Sequence, residues 1–156
     1  MAEFAFSPTG HNTHFGACRN PWNIDYVTGG SSSGSGSAVA ARMAFGSLGS
    51  DTGGSIRLPA GFCGLVGIKP TQTRVSRYGV MGLSFSLDNV GPLTRTVKDN
   101  ALILSVIAGH DPKDATSSTQ PVGNYLEAVD NPSAKGFKIG IALSLIHISE
   151  PTRLLR

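Results

Sequence analysis

With 156 residues, 40% hydrophobic and 15% charged residues and 20 glycines, the chain has the size and composition of one loop-rich globular domain and not of a disordered polyelectrolyte. Its net charge of +3 is modest, and basic residues such as Arg19, Arg42, Arg57, Arg74, Arg77 and Arg95 are scattered and form no cluster for direct nucleic-acid binding. No apolar run reaches membrane-spanning length, the first residues lack signal-peptide character, and lone Cys18 and Cys63 fit no metal-ligand spacing and favour a reducing, cytoplasmic setting.

Residues 1–27 carry Phe4, Phe6, Phe15 and Trp22 between Pro8, Gly10, Gly16 and Pro21, which predicts a loop-rich approach with one short strand over 3–6. His11 and His14 have no nearby acidic or thiol partner and read as polar loop residues. From Thr28 to Ser55, sixteen of 28 residues are Gly or Ser. A flexible linker has such a composition, but it has no need of Ala38-Val39-Ala40-Ala41 in its middle or of Asp51 and Arg57 around a Gly-Gly-Ser. Two glycine–serine loops, 29–37 and 51–55, are therefore expected around a helix over 37–45, capped by Ser35 or Ser37 and ended by left-handed Gly46. A buried strand follows over 47–50. A helical turn over 55–62 is expected to be interrupted by Pro59, and a buried strand over 64–68 to be closed by Lys69-Pro70. Residues 74–80 read as extended or loop, and Gly91-Pro92 as a turn. The best helix spans 97–108, with Thr96 as N-cap, Gly109 after its end and Ala101, Leu102, Leu104, Ile107 and Ala108 as its core stripe. A polar loop over 111–120, a short helix over 124–129 and a strand over 137–142 complete an α/β pattern.

Several motif readings fail on context. Gly30-Ser31-Ser32-Ser33-Gly34 matches G-x-S-x-G, but residues 23–28 make a poor strand for a nucleophile elbow. A phosphate loop needs a lysine, and none precedes Lys69. Gly34 and Gly36 are followed by Val39 where a dinucleotide fingerprint needs its third glycine.

Taken together, GGSSSGSGSAVAA, LGSDTGGSIRLPAGFCGLVGIKPT, RVSRYGV and SLDNVGPLTRTVKD resemble the amidase signature family of serine amidohydrolases, over roughly residues 3–142. The resemblance implies a mixed sheet flanked by helices, truncated at both ends, and a Ser–cis-Ser–Lys triad with no metal or other cofactor. Ser55 would be the acyl-ester nucleophile. Ser31, after a cis Gly30–Ser31 peptide, would bridge by accepting the proton of Ser55 and passing its own to a neutral lysine. Backbone N–H groups of Thr52, Gly53, Gly54 and Ser55 would form the oxyanion hole, worth about 3 kcal/mol per donor. Ser32, Asp51 and Arg57 would support the loops, and Cys63 reads as a packed core thiol.

Two departures stand out. Ser33 occupies a position that is usually glycine, at a cost of about 1 kcal/mol if positive φ is needed there. None of the thirty residues before Ser31 is a lysine, and Lys69 corresponds to a different family position. The chain as it stands is therefore expected to lack its general base and to be inactive. Met1 reads as an internal methionine taken as a start. Residues 143–153, LSLIHISEPTR, read as the in-frame translation of transposon-end sequencing adapter, so 1–142 is expected to be a partial amidase signature domain and 143–156 a non-native tail. The parent is expected to be an amidase acting on a small-molecule amide and yielding carboxylate and ammonia. The alternatives are the glutaminase component of a tRNA-dependent amidotransferase, which RVSRYG resembles and which would work with partner subunits, and a non-catalytic remnant acting as a binding module.

Overall fold

In the computed structural model, residues 2–133 and 135–138 are described. The chain begins with a 3-10 turn at Glu3–Ala5, not the expected strand, because Phe4 adopts a positive φ of 54°. Strands β1 (Arg19–Asn20) and β2 (Asn23–Val27) then form an antiparallel hairpin in the segment expected to be loop. Side chains hold it: Asn20 Nδ2 donates to the Phe62 carbonyl at 2.8 Å, and the Trp22 indole N–H to the Cys63 carbonyl at 2.7 Å. Every residue of β2 is exposed, so the strand rests on these anchors and not on an apolar face.

Helix α1 covers Ser33–Ala40, beginning and ending earlier than expected. Its Gly and Ser content gives it little propensity of its own, so packing must hold it. Val39 is fully buried, and Ser35 Oγ reaches the Leu48 carbonyl at 2.8 Å. The left-handed residue after the helix is Arg42, at φ 62°, and not Gly46, which opens strand β3 (Gly46–Asp51). Helix α2 (Arg57–Phe62) contains Pro59 without a break, since its first turn needs no N–H donor there.

The main sheet has the order β3-β5-β4. Its middle strand, β5 (Asn89–Thr94), is buried at every residue and contains the Gly91-Pro92 pair expected to be a turn. The Pro92 carbonyl faces Ile68, whose N–H donates to it at 3.4 Å. In an antiparallel ladder a residue's N–H and C=O face the same neighbour, so the donor that proline lacks is missing on the β4 side, not on the side of β3. There the ladder stops: β4 is only Val66–Gly67, half-buried, and not the longer buried strand expected. Gly91 is required by close approach, because a Cβ there would collide with the Ile68 carbonyl oxygen. All sheet pairings among the described residues are antiparallel.

Helix α3 (Val97–Ile107) follows the sequence expectation, with Thr96 Oγ1 accepting from Asp99 N–H at 3.1 Å. Ala101 and Leu104 are buried as expected, whereas Leu102 is half exposed. Asn100 turns its Nδ2 to the sheet, donating to the carbonyls of Val66 (3.1 Å) and Pro92 (3.2 Å). Helix α4 (Tyr125–Asp130) is capped by Asn124 and sends Tyr125 against the α3 cluster. The core has two parts, Ile56–Ala60–Leu93 on one side and Val75–Val90–Leu104 on the other. Of the strand expected over 137–142, Phe137 and Lys138 lie outside any strand, and the rest, like 143–156, lies outside the described residues. Among the described residues no helix is long and apolar enough to cross a membrane.

Candidate active site

The fold brings the two glycine–serine loops together. Strand β2 delivers the chain to Gly29-Gly30, the Gly30–Ser31 peptide is cis, and α1 begins two residues later. Strand β3 ends at Asp51, and residues 52–55 turn the chain into α2. Ser32 N–H donates to the Ser55 carbonyl at 3.1 Å. The Ser32 hydroxyl is buried and spans to β3, donating to the Ser50 carbonyl and accepting from Ser50 N–H, each at 3.2 Å. A strand does precede the G-x-S-x-G match, contrary to expectation, but its central Ser32 is committed to β3 and cannot act as an elbow nucleophile. Ser33 is the first residue of α1 and has no positive φ, so the serine at that position needs no left-handed backbone.

Ser31 is fully buried, and its hydroxyl has no hydrogen-bond partner among the described residues. A buried hydroxyl left unpaired costs about 1–3 kcal/mol, so one with no partner calls for an explanation. Ser55, half-buried, sits at the start of the turn into α2. The two serine hydroxyls do not bond to each other.

Asp51 organises the turn. Its Oδ1 accepts from Gly54 N–H at 2.7 Å and Arg57 Nη2 at 3.0 Å, and its Oδ2 from Arg57 Nε at 3.0 Å and the N–H groups of Ile56 and Arg57 at 3.2 and 3.3 Å. Burial pushes the carboxyl up, but the Arg57 side chain and the N–H groups of Ile56, Gly54 and Arg57 outweigh it and hold it below the ordinary carboxylate value. Gly54 adopts φ 135°, which a side chain would strain, and this turns its N–H onto Asp51. Gly54 N–H is therefore already taken, whereas those of Thr52, Gly53 and Ser55 find no protein acceptor among the described residues.

Thr52 Oγ1 donates to Asp88 Oδ1 at 2.5 Å. Sequence reasoning does not single out Asp88; its signal is its place in SLDNVGP, three residues before the Gly91-Pro92 pair that reads as a turn and folds as buried strand. Thr52 and Asp88 line a cleft of about 450 Å³ with Arg77, Met81, Phe85 and Lys113. Ser31 and Ser55 do not line that cleft. Cys63 is buried, and burial, with a smaller push from Cys18, raises its thiol to about 11, the opposite of an activated nucleophile. Lys69 directs Nζ to the Pro70 carbonyl at 3.2 Å. His11 Nδ1 bonds Thr9 Oγ1 at 2.8 Å, and among the described residues no three His, Cys, Asp or Glu side chains are grouped to hold a metal.

Fold and site together define an α/β protein with a paired-serine loop site. A family model described as Amidase matches residues 1–154, and the chain belongs to that family. It is 57% identical over 141 residues, 90% of its length, to the A-type subunit of glutamyl-tRNA(Gln) amidotransferase from Sulfurihydrogenibium sp. (strain YO3AOP1), and spans 29% of that protein. The solved structure of the corresponding glutamyl-tRNA(Gln) amidotransferase component from Thermotoga maritima superposes with a TM-score of 0.75 at 49% identity, over 77% of this chain and 26% of the other. That of the native peptide amidase from Stenotrophomonas maltophilia gives 0.70 at 44%, over 77% and 25%. The chain thus spans little more than a quarter of the relatives it matches.

Proposed function

We propose that the protein carrying these residues hydrolyses a carboxamide to carboxylate and ammonia through an acyl ester on Ser55. The observation that carries this reading is Ser31 Oγ, a buried hydroxyl without a partner, on a loop bonded to the Ser55 carbonyl by Ser32 N–H. In the reaction, Ser55 Oγ attacks the amide carbon and gives its proton to Ser31 Oγ, which passes its own to a base. The oxyanion is received by the N–H groups of Thr52, Gly53 and Ser55, while the Gly54 N–H is given to Asp51 and not to the oxyanion. The C–N bond then breaks and ammonia leaves with the returned proton, after which water cleaves the ester and restores Ser55.

The base is the lysine of the triad, which no residue before Ser31 supplies, and Lys69 is turned to a backbone carbonyl. The 156 residues alone are therefore expected to be inactive. The unit that bears the site is residues 1–142, a partial amidase domain in a cytoplasmic protein, with 143–156 outside it. In the longer protein, Ser55→Ala is expected to abolish amide hydrolysis and the hydroxylamine-trappable acyl intermediate. Retained turnover in that variant would overturn the assignment.

Two forms of this reading share the same chemistry. The amidase acting alone is one. The other, an amidotransferase component whose ammonia passes to a partner that amidates glutamyl-tRNA(Gln), is favoured by the names of the relatives at 54% and 57% identity. Glutaminase activity that rises on adding partner subunits supports the second; full activity on simple amides without them supports the first.

A further inference from the structure

Asp88 takes no part in the steps above, yet it grips the catalytic turn from across the sheet. Besides accepting from the Thr52 hydroxyl, it takes the N–H groups of Leu83 at 2.7 Å and Ser84 at 2.8 Å on its other oxygen. It is 8% exposed. It stands one residue before Asn89, the register partner of Asp51 at the end of the β3–β5 ladder. The two carboxylates therefore hold the same turn from two directions. Asp51 fixes residues 54–57 from within, and Asp88 fixes Thr52, where the turn leaves the sheet. Threonine is β-branched, so a hydroxyl tied to a carboxylate selects one χ1 well and ties the side chain to its own peptide.

We propose that Asp88 is a positioning residue for amide hydrolysis: through the Thr52 hydroxyl it holds the Thr52 N–H toward the oxyanion and locks the cleft wall at 83–84 to the catalytic turn. The inference rests on the assignment of Ser55 and its turn made above. A carboxylate serves this role because it accepts three bonds at once without needing a proton of its own. A rival reading gives Asp88 only the local task of closing the 83–84 turn.

The test uses the full-length protein, three single variants, one double variant and a Ser55→Ala control. Thr52→Val removes the donor and keeps the shape, Thr52→Ser keeps the donor, and Asp88→Ala removes the acceptor. Thr52→Val is expected to lower kcat about tenfold to a hundredfold, the scale of a small misplacement at a reacting centre, with little change in KM. Thr52→Ser should recover most of that loss. Asp88→Ala should lower kcat strongly in the wild-type background and little in the Thr52→Val background, since both changes cut one connection. Normal kcat in Thr52→Val, or losses that simply multiply in the double variant, overturns the inference. A rise in KM with kcat unchanged does so too, since the Thr52 N–H would then not have been displaced from the reacting centre. Ser55→Ala, measured alongside, separates the failures. If it stays active, the functional assignment falls and this inference with it; if it is inactive while Thr52→Val is normal, only the role of Asp88 falls.

Discussion

The backbone N–H of Ser32 donates to the carbonyl oxygen of Ser55 at 3.1 Å, a bond between residues that the sequence separates by a helix and a strand. The Ser32 side chain reaches β3 from the same position, so one serine sets the spacing of both loops. Its neighbour Ser31 keeps its hydroxyl uncommitted. Of two adjacent serines, one is used entirely for architecture and the other is left available for chemistry.

Ser32→Ala removes the two side-chain bonds to β3 and leaves the bond to Ser55 in place. At about 0.5–1.5 kcal/mol per bond, the longer protein should lose roughly 1–3 kcal/mol. Equilibrium denaturation checks this, and an unchanged midpoint would show that the side chain contributes nothing to the join.

Asp51 makes stability depend on pH. Its folded pKa lies below the unfolded value of about 3.9, so the stabilisation is complete above that value and is lost as pH falls through the lower folded one. Denaturation midpoints followed from pH 6 to acid should fall less steeply for Asp51→Asn, which should already be weaker at pH 6. Parallel curves for the two proteins would remove Asp51 as the cause.

Gly91→Ala pushes a methyl group against the Ile68 carbonyl and toward Pro70 Cδ, 2.9 Å from the new carbon. Such overpacking in a buried strand costs about 1–3 kcal/mol. Differential scanning calorimetry should show a lower transition temperature, and a neutral result would mean that β4 moves away freely.

Phe15, Phe45 and Phe85 are each about nine-tenths exposed, and Met43 about four-fifths. Apolar surface on this scale drives association. Expressed alone, the 156 residues should scatter light more steeply than in proportion to concentration and show no reversible melting. A cooperative, reversible transition from a monomer would contradict this.

The two glycine–serine loops are legible in the sequence because their order is unusual: two glycine–serine clusters with a small-residue run between them, and an acid and an arginine around the second. Helix α3 is legible from its cap, Thr96, whose side chain accepts the expected N–H bond, and α4 lies within a residue of its expected span, with Asn124 outside it as the cap. The elements that the sequence conceals share a physical reason. Strand β5 is masked by Gly91-Pro92, which locally favours a turn and is held extended only by the strands on either side. The β1–β2 hairpin is masked by Asn20, Asn23 and Asp25, and it depends on distant partners at Phe62 and Cys63. The limits of α1 shift because propensity is weak in a glycine–serine helix, leaving its neighbours to decide where it starts. Asp88 escapes notice for the same cause, since its importance comes from a contact 36 residues away.

Pro92 carries a consequence for how the sheet chooses its alignment. A strand rich in small residues can slide along its neighbour at little cost, because few side chains mark the right position. Moving β5 by one residue would turn the donorless proline toward β3, and a ladder bond would be lost in the middle of the longest pairing. The proline thus works as a key that fits one setting only, and Asn89 is kept opposite Asp51 by a residue three places further along the strand.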